Sequence, residues 1–320
     1  MKALITGGAG FIGSHLAEGL LHAGHEVEII DDLSTGSMEN INHLISNPRF
    51  KYTIDTIMNV KQMERLVRKV DIVYHLAASV GVKYVIDNPL KSLETNIKGT
   101  EIILDVANRK GKKRVILAST SEIYGKNDRV PLKEDDDRVL GSTYIARWGY
   151  SDSKAIDELL AFAYYREKKL PIIITRFFNI CGPRQTGKYG MVLPRFVKAA
   201  LLNHPIPVYG DGNQTRCFCY VGDMVKALLS LPHKPKAVGE VFNIGSNHEI
   251  SIKHLAERVK KIAKSSSPII FIPYEKAYEK GFEDMHRRVP DITKIRKMVG
   301  FKPAVKLDEL IKKVIEYYES

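Results

Sequence analysis

The chain has 320 residues, 44% hydrophobic and 27% charged, ordinary for a globular protein and long enough for one large α/β core with a smaller companion lobe. Its net charge of +12 is spread out. The densest basic stretches, RKGKKR (109–114) and KIRK (294–297), read as solvated helix ends or loops, and no nucleic-acid-binding module accompanies them, so the expected partner is an acidic small molecule, with no nucleic acid. No apolar run is long enough for a membrane, the N-terminus lacks a signal-peptide layout, and three cysteines are too few for a disulfide framework; a cytoplasmic protein is expected.

KALIT (2–6) is a short apolar strand that runs into GGAGFIG (7–13). The turn satisfies G-x-G-x-x-G at Gly8, Gly10 and Gly13, and G-x-x-G-x-x-G at Gly7, Gly10 and Gly13, with Phe11 and Ile12 between the last two glycines. Placed after a first strand and opening a helix, such glycines let backbone amides approach a pyrophosphate at the positive helix end. EVEIID (26–31) is a second strand ending in Asp31, where a carboxylate accepts hydrogen bonds from an adenosine ribose and repels a 2′-phosphate; NAD is expected over NADP.

VDIVYHLAA (70–78) reads as a third strand, RVILAST (114–120) as a fourth and LPIIITRFFNI (170–180) as a fifth. Helical stretches at 90–111 and 150–169 lie between them. The alternation predicts a Rossmann-type doubly wound parallel sheet over 1–180. Residues 181–320 change texture and are expected to form mainly a smaller, interdigitated substrate lobe, with GEVFNIGS (239–246), inside 239–262, returning to the main sheet. TRCFCYV (215–221) reads as a strand that would put Cys217 and Cys219 on one face, but no second Cys/His pair has zinc spacing, and no metal site is expected.

In YSDSK, Tyr150 and Lys154 stand four apart on a predicted helix, hence on one face. A neighbouring ammonium and a positive nicotinamide ring favour phenolate, so Tyr150 is a candidate base for a hydroxyl proton that leaves as hydride leaves the same carbon. The hydroxyl pair Ser119–Thr120 sits at a strand end, where open α/β sheets bind ligands, and Glu122 follows directly.

TGGAGFIGSHL, DDLSTG, HLAA, TNIKGT, STSEIYG, YSDSK, RFFNICGPRQ, VYGDGNQTRCFCYVGD, VFNIGS and RRVPDITK together resemble the extended short-chain dehydrogenase/reductases of the nucleotide-sugar epimerase, dehydratase and decarboxylase group, nearly end to end. The resemblance implies a retained NAD that oxidises the sugar at C4, after which the 4-keto sugar is partitioned. It implies Tyr150 as base and acid, Thr120 bonding the 4-oxygen, and Lys154 tuning Tyr150 and holding the nicotinamide ribose. Asp31, Asp32, Leu33, Ser34 and Gly36 resemble the adenosine-side loop, and Asp55 and Thr56 the adenine contacts. Leu76, Ala77 and Ala78 resemble the pyrophosphate and nicotinamide wall, with Asn96 and Ser119 deeper and Phe177 and Ile180 flanking the nicotinamide. Asn179 resembles the residue holding the substrate diphosphate, Val208 and Tyr209 the uracil-side strand, and Arg216 and Arg288 the diphosphate clamp. His75 reads as a core histidine. Helices 90–111 and 150–169 resemble the pair that forms the family's homodimer interface.

Glu122 bears on the reaction. Dehydratases resemble Thr-Asp-Glu in this segment, and here Ser121 takes the place of the Asp, which argues against dehydration. TSE resembles UDP-glucuronate decarboxylases and some UDP-uronate 4-epimerases, and the RW at 147–148 is similar to the decarboxylase branch. Glu122 therefore points to the sugar C6 group without choosing whether CO₂ is kept or lost. An ionised Glu122 would repel a C6 carboxylate, and a protonated one would donate to it. The expectation is an NAD-dependent UDP-sugar 4-epimerase, on UDP-glucose/galactose or the matching uronic acids, with UDP-glucuronate decarboxylase as the alternative. A non-catalytic nucleotide-sugar sensor is disfavoured by the intact Tyr150, Lys154 and Thr120.

Overall fold

The computed structural model describes residues 1–187, 191–277 and 285–320. The first half runs β1 (Lys2–Thr6), α1 (Phe11–His22), β2 (Glu26–Asp31), β3 (Phe50–Ile54), α2 (Val60–Val67), β4 (Ile72–His75), α3 (Val82–Asp87), α4 (Pro89–Arg109), β5 (Arg114–Thr120), α5 (Arg147–Lys168) and β6 (Ile172–Phe177). After it come β7 (Ile180–Cys181), α6 (Val192–Leu201), β8 (Ile206–Tyr209), β9 (Thr215–Cys217), β10 (Cys219–Tyr220), α7 (Val221–Ser230), β11 (Val241–Ile244), β12 (Glu249–Ser251), α8 (Ile252–Ile262), β13 (Ile269–Ile272), α9 (Tyr274–Ala277), α10 (Thr293–Val299) and α11 (Leu307–Glu319).

Seven parallel strands form the main sheet in the order β11-β6-β5-β4-β1-β2-β3. Its central strands are continuous apolar runs because both faces are covered. Leu16 and Leu20 of α1 pack with Met224 and Leu228 of α7 on one face, and Met63, Leu66, Ile103, Leu104 and Ala161 from α2, α4 and α5 cover the other. Truncating any of these buried leucines to alanine costs about 2–5 kcal/mol. β1 pairs with β2 on one side and β4 on the other, so the chain reverses its winding there and a crevice opens at the strands' carboxyl ends.

β11 pairs with β6 in register Val241↔Ile174 to Ile244↔Phe177, so the 239–246 segment does return to the sheet. A second core gathers around β8 from Leu193 and Phe196 of α6, Leu255 and Val259 of α8, and Leu310 and Val314 of α11. One buried carboxylate ties α7 to the chain before α11: Asp223 Oδ2 accepts from the amides of Ala304 (2.8 Å) and Val305 (2.9 Å).

Four expectations change. β3 has no counterpart in the sequence reading, because only Phe50 of FKYTI is buried while Tyr52 and Ile54 are exposed on a sheet edge. The third strand stops at His75, since Leu76–Ala78 leave the sheet to line the crevice. The fifth breaks after Phe177 and resumes at Ile180, with Asn179 at a φ of 39° between them. TRCFCYV is two strands: Cys217 pairs with β12 and Cys219 with β7, and burial pushes the Cys217 thiol up to about 12. Among the described residues, no group of three His, Cys, Asp or Glu could hold a metal ion, and no helix is long and apolar enough to cross a membrane.

Candidate active site

A cavity of about 510 Å³ fills the crevice at the carboxyl ends of β1, β2, β4, β5 and β6. At one end is the glycine turn. Helix α1 begins at Gly10 with no side-chain cap and no acidic residue in its first turn, so the amides of its first turn keep donors for a ligand. The turn demands glycine by close packing. A Cβ on Gly13 would lie 2.1 Å from the Gly7 carbonyl oxygen, and Gly7 itself has a φ of 70° against the Ala77 backbone. Asp31 lies beside the turn, its Oδ2 accepting from the Ala9 amide (2.9 Å) and its Oδ1 from the Leu33 amide (2.8 Å). Burial raises its carboxyl pKa and these amides pull it back.

At the other end three charges meet. The turn after β5 puts Glu122 between two buried arginines: Arg288 Nη1 is 2.8 Å from Oε1, and Arg147 Nη2 is 3.3 Å from Oε2. Arg288 Nη1 also donates to Ser121 Oγ (3.2 Å). Tyr150 lies next to this set. Burial, and after it Glu122, holds the Tyr150 phenol far above its ordinary pKa, while a hydrogen bond with Thr120 and the Arg288 charge oppose them. Lys154 Nζ bonds Asp157 Oδ2 at 2.7 Å. Ser119 donates to Glu158, which holds Arg176 in a two-pronged pair at 2.9 and 2.7 Å, so the floor is stiff.

The wall brings together Gly7, Gly10–Gly13, Asp31, Asp32, Ser34, Asp55, Thr56, Leu76–Ala78, Ser119, Thr120, Glu122, Tyr150, Lys154, Phe177, Asn179, Ile180 and Arg288, all anticipated from sequence. Six anticipated residues are elsewhere. Leu33 and Gly36 sit behind Asp31, and Asn96 is buried behind the wall, accepting from the Ser79 amide and donating to Ser153. Val208 is sealed in the second core, Tyr209 lies under the Arg195 guanidinium at 4.3 Å, and Arg216 donates to the carbonyls of Thr215 and Met285. Arg288, expected beside a diphosphate with Arg216, lines the cavity and bonds Glu122. His75 is a core histidine, held by Thr6 and Thr100.

The sequence reading noted the RW at 147–148 but gave Arg147 no role, and it gave none to Ser79–Gly81, Tyr84, Gln185 and Met191, which also line the cavity. Arg147 was findable: it stands three before Tyr150 and seven before Lys154, on one helical face.

A family model described as GDP-mannose 4,6 dehydratase matches residues 4–314. The chain belongs to the NAD-dependent nucleotide-sugar epimerase/dehydratase family. Among its curated relatives, the UDP-N-acetyl-alpha-D-glucosaminuronate decarboxylase of Bacillus cytotoxicus is 44% identical over 318 residues, 99% of this chain and 97% of that protein. UDP-glucuronic acid decarboxylase 1 of Arabidopsis thaliana is 36% identical over 330 residues, 100% of this chain and 70% of that one. Among solved structures, the UDP-glucuronic acid 4-epimerase of Bacillus cereus, in complex with UDP-glucuronic acid and NAD, is 30% identical with a TM-score of 0.90, covering 100% of this chain and 99% of that one. These family members include both reactions weighed from the sequence, and the curated relatives favour the decarboxylase alternative over the 4-epimerase.

Proposed function

We propose that this protein is an NAD-dependent decarboxylase of a UDP-hexuronate. The observation that carries the reading is Glu122 held between Arg147 and Arg288 beside Tyr150. Arg147 and Arg288 present guanidinium groups in the cavity wall beside Tyr150. Such guanidinium groups suit an anionic group of the substrate, which can accept from both. A sugar C6 carboxylate supplies one, whereas a hydroxymethyl group does not. The repulsion expected between Glu122 and that carboxylate is offset by the flanking arginines.

The residues present fit the cofactor. The first-turn amides of α1 would hold its pyrophosphate, Asp31 its adenosine ribose, Asp55 and Thr56 its adenine edge, and Phe177 and Ile180 its nicotinamide. When bound, it supplies reversible removal of hydride from sugar C4, and its ring adds positive charge near the phenol.

The chain's own residues do the rest. Tyr150 takes the C4 hydroxyl proton as C4 is oxidised, and Thr120 bonds the same oxygen. In the resulting 4-keto sugar the C6 carboxylate is β to the ketone. The C5–C6 bond breaks, CO₂ leaves, and its electron pair forms a C4–C5 enolate. The hydroxyls of Tyr150 and Thr120 donate to the enolate oxygen, and Arg147 and Arg288 hold the departing carboxylate until the bond breaks. A proton from solvent then enters at C5, and return of the hydride to C4, with the Tyr150 proton going back to the C4 oxygen, would restore the cofactor and yield a UDP-pentose. Leu90, Ile156 and Leu159, exposed on α4 and α5, form the face that a second copy would cover in a homodimer, which light scattering would test.

The test is to incubate the protein separately with UDP-glucuronate and UDP-N-acetylglucosaminuronate, measuring CO₂ and product mass. Stoichiometric CO₂ with one of them is expected. A product that keeps the carboxylate and inverts C4 would make the protein a 4-epimerase instead.

A further inference from the structure

The cavity floor holds a second charge pair, which the proposed mechanism leaves without a task. Lys154 and Asp157 lie one turn apart on α5, Nζ to Oδ2 at 2.7 Å, with side chains 4% and 0% exposed. So deep a pair is an expensive way to stabilise a helix, because both charges lose their hydration. Asp157 is further committed: its Oδ1 is buried with no hydrogen-bond partner in range, and the Thr100 hydroxyl of α4 faces the same carboxyl.

Behind Thr100 runs a neutral polar row. His75 Nε2 is 3.2 Å from Thr100 Oγ1, His75 Nδ1 is 2.8 Å from Thr6 Oγ1, and Thr6 Oγ1 accepts from the Ala77 amide at 3.1 Å. Burial pushes the His75 ring down to about 3, so it is neutral, and we assign Nδ1 as acceptor from Thr6 and Nε2–H as donor to Thr100. The row starts at a cavity-wall residue, Ala77, and ends at Asp157 and Lys154.

We infer that Asp157 is a positioning residue: it fixes the Lys154 ammonium on the cavity floor and offsets its charge, so that less of that charge reaches the Tyr150 phenol in the same wall. The inference rests on the role proposed above for Tyr150. Its physical content is a balance of charges. Tyr150 feels Glu122 from the turn after β5, Arg288 from the segment before α10 and Asp157 on its own helix, with Lys154 four residues on in the same cavity wall; Asp157 faces Lys154, Glu158 and the Thr100 hydroxyl. Among these, Glu122 and Asp157 hold the phenol proton on and Arg288 works against them. Glu122 belongs to the substrate end, whereas Asp157 is paired with Lys154 on the floor, so its charge can be removed without dismantling the substrate end.

The experiment uses the holoenzyme and compares wild type with Asp157→Asn, which keeps shape and removes charge, and Asp157→Glu, which keeps charge. With Asp157→Asn, the acid limb of the kcat/KM profile is expected to move to lower pH by about 0.5–1 unit. Asp157→Glu is expected to leave the limb at its wild-type position. The near-ultraviolet tyrosinate signal, taken as each protein minus its Tyr150→Phe form, is expected to move with the limb. A limb that stays in place while kcat falls at every pH would overturn the role of Asp157. If Asp157→Asn does not fold, Asp157→Ser is read in the same way. Absence of any titrating tyrosinate in wild type would bring down the Tyr150 mechanism and this inference together. A tyrosinate that titrates in wild type, with a midpoint unmoved in Asp157→Asn, would remove only Asp157.

Discussion

The two ends of the cavity are built by different means. The glycine end is one short stretch, 7–13, that works through its backbone: amides left over at a helix start, and glycines packed so closely that a methyl group does not fit. The Glu122 end is assembled from side chains, with Thr120, Glu122, Arg147, Tyr150 and Arg288 gathered from a strand end, a turn, a helix and a segment more than a hundred residues later. A backbone site tolerates changes in most neighbouring side chains and none in its glycines. A charge cluster depends on each member, since removing one leaves the others buried and unbalanced.

Substitutions can sharpen or break that contrast. The largest expected effect is Tyr150→Phe, which should lower turnover by about 10³-fold in a steady-state assay while bound NAD, measured after acid release, stays at the wild-type level. Arg288→Ala comes next. It removes one of the guanidinium groups on Glu122, and kcat/KM for a UDP-uronate should fall by roughly 10²-fold or more, again with NAD retained. Loss of NAD in this variant would show that the two ends are not separate. Gly13→Ala should do the reverse: its Cβ would press on the Gly7 carbonyl, so bound NAD falls sharply and stability drops by about 1–3 kcal/mol in a denaturant melt. Asp223→Asn is the mildest for function. It weakens two charge-assisted hydrogen bonds far from the cavity, and should cost about 1.5–3 kcal/mol of stability with kcat unchanged within error.

The same contrast decides what could be read from the sequence. The glycine turn, Asp31 and the buried strands were legible because their signals are local: fixed spacing, apolar runs and a carboxylate at a strand end. Tyr150 and Lys154 were legible as a helical spacing, and Arg147 obeys the same rule, although its role depends on Glu122, which spacing does not reveal. Arg288 was recognised as a site residue but expected at a diphosphate; its partner Glu122 lies 166 residues away, and no local pattern records that distance. Val208 was expected to meet the substrate and instead fills the second core, since an alternating strand does not say which of its faces is inward. β3 stayed hidden because an edge strand with two exposed apolar residues has neither the run of a central strand nor a regular alternation.

The late pairing of β11 with β6 has a consequence for biosynthesis. As the nascent chain leaves the ribosome, β6 emerges with one main-chain edge open, and its partner follows only after the helices α6 and α7 have been made. During that interval the Ile172–Phe177 edge is an adhesive template for other extended chains, and a fragment ending before residue 241 would keep it permanently. Soluble expression of such a fragment should therefore depend on a chaperone, where the full chain supplies its own seal.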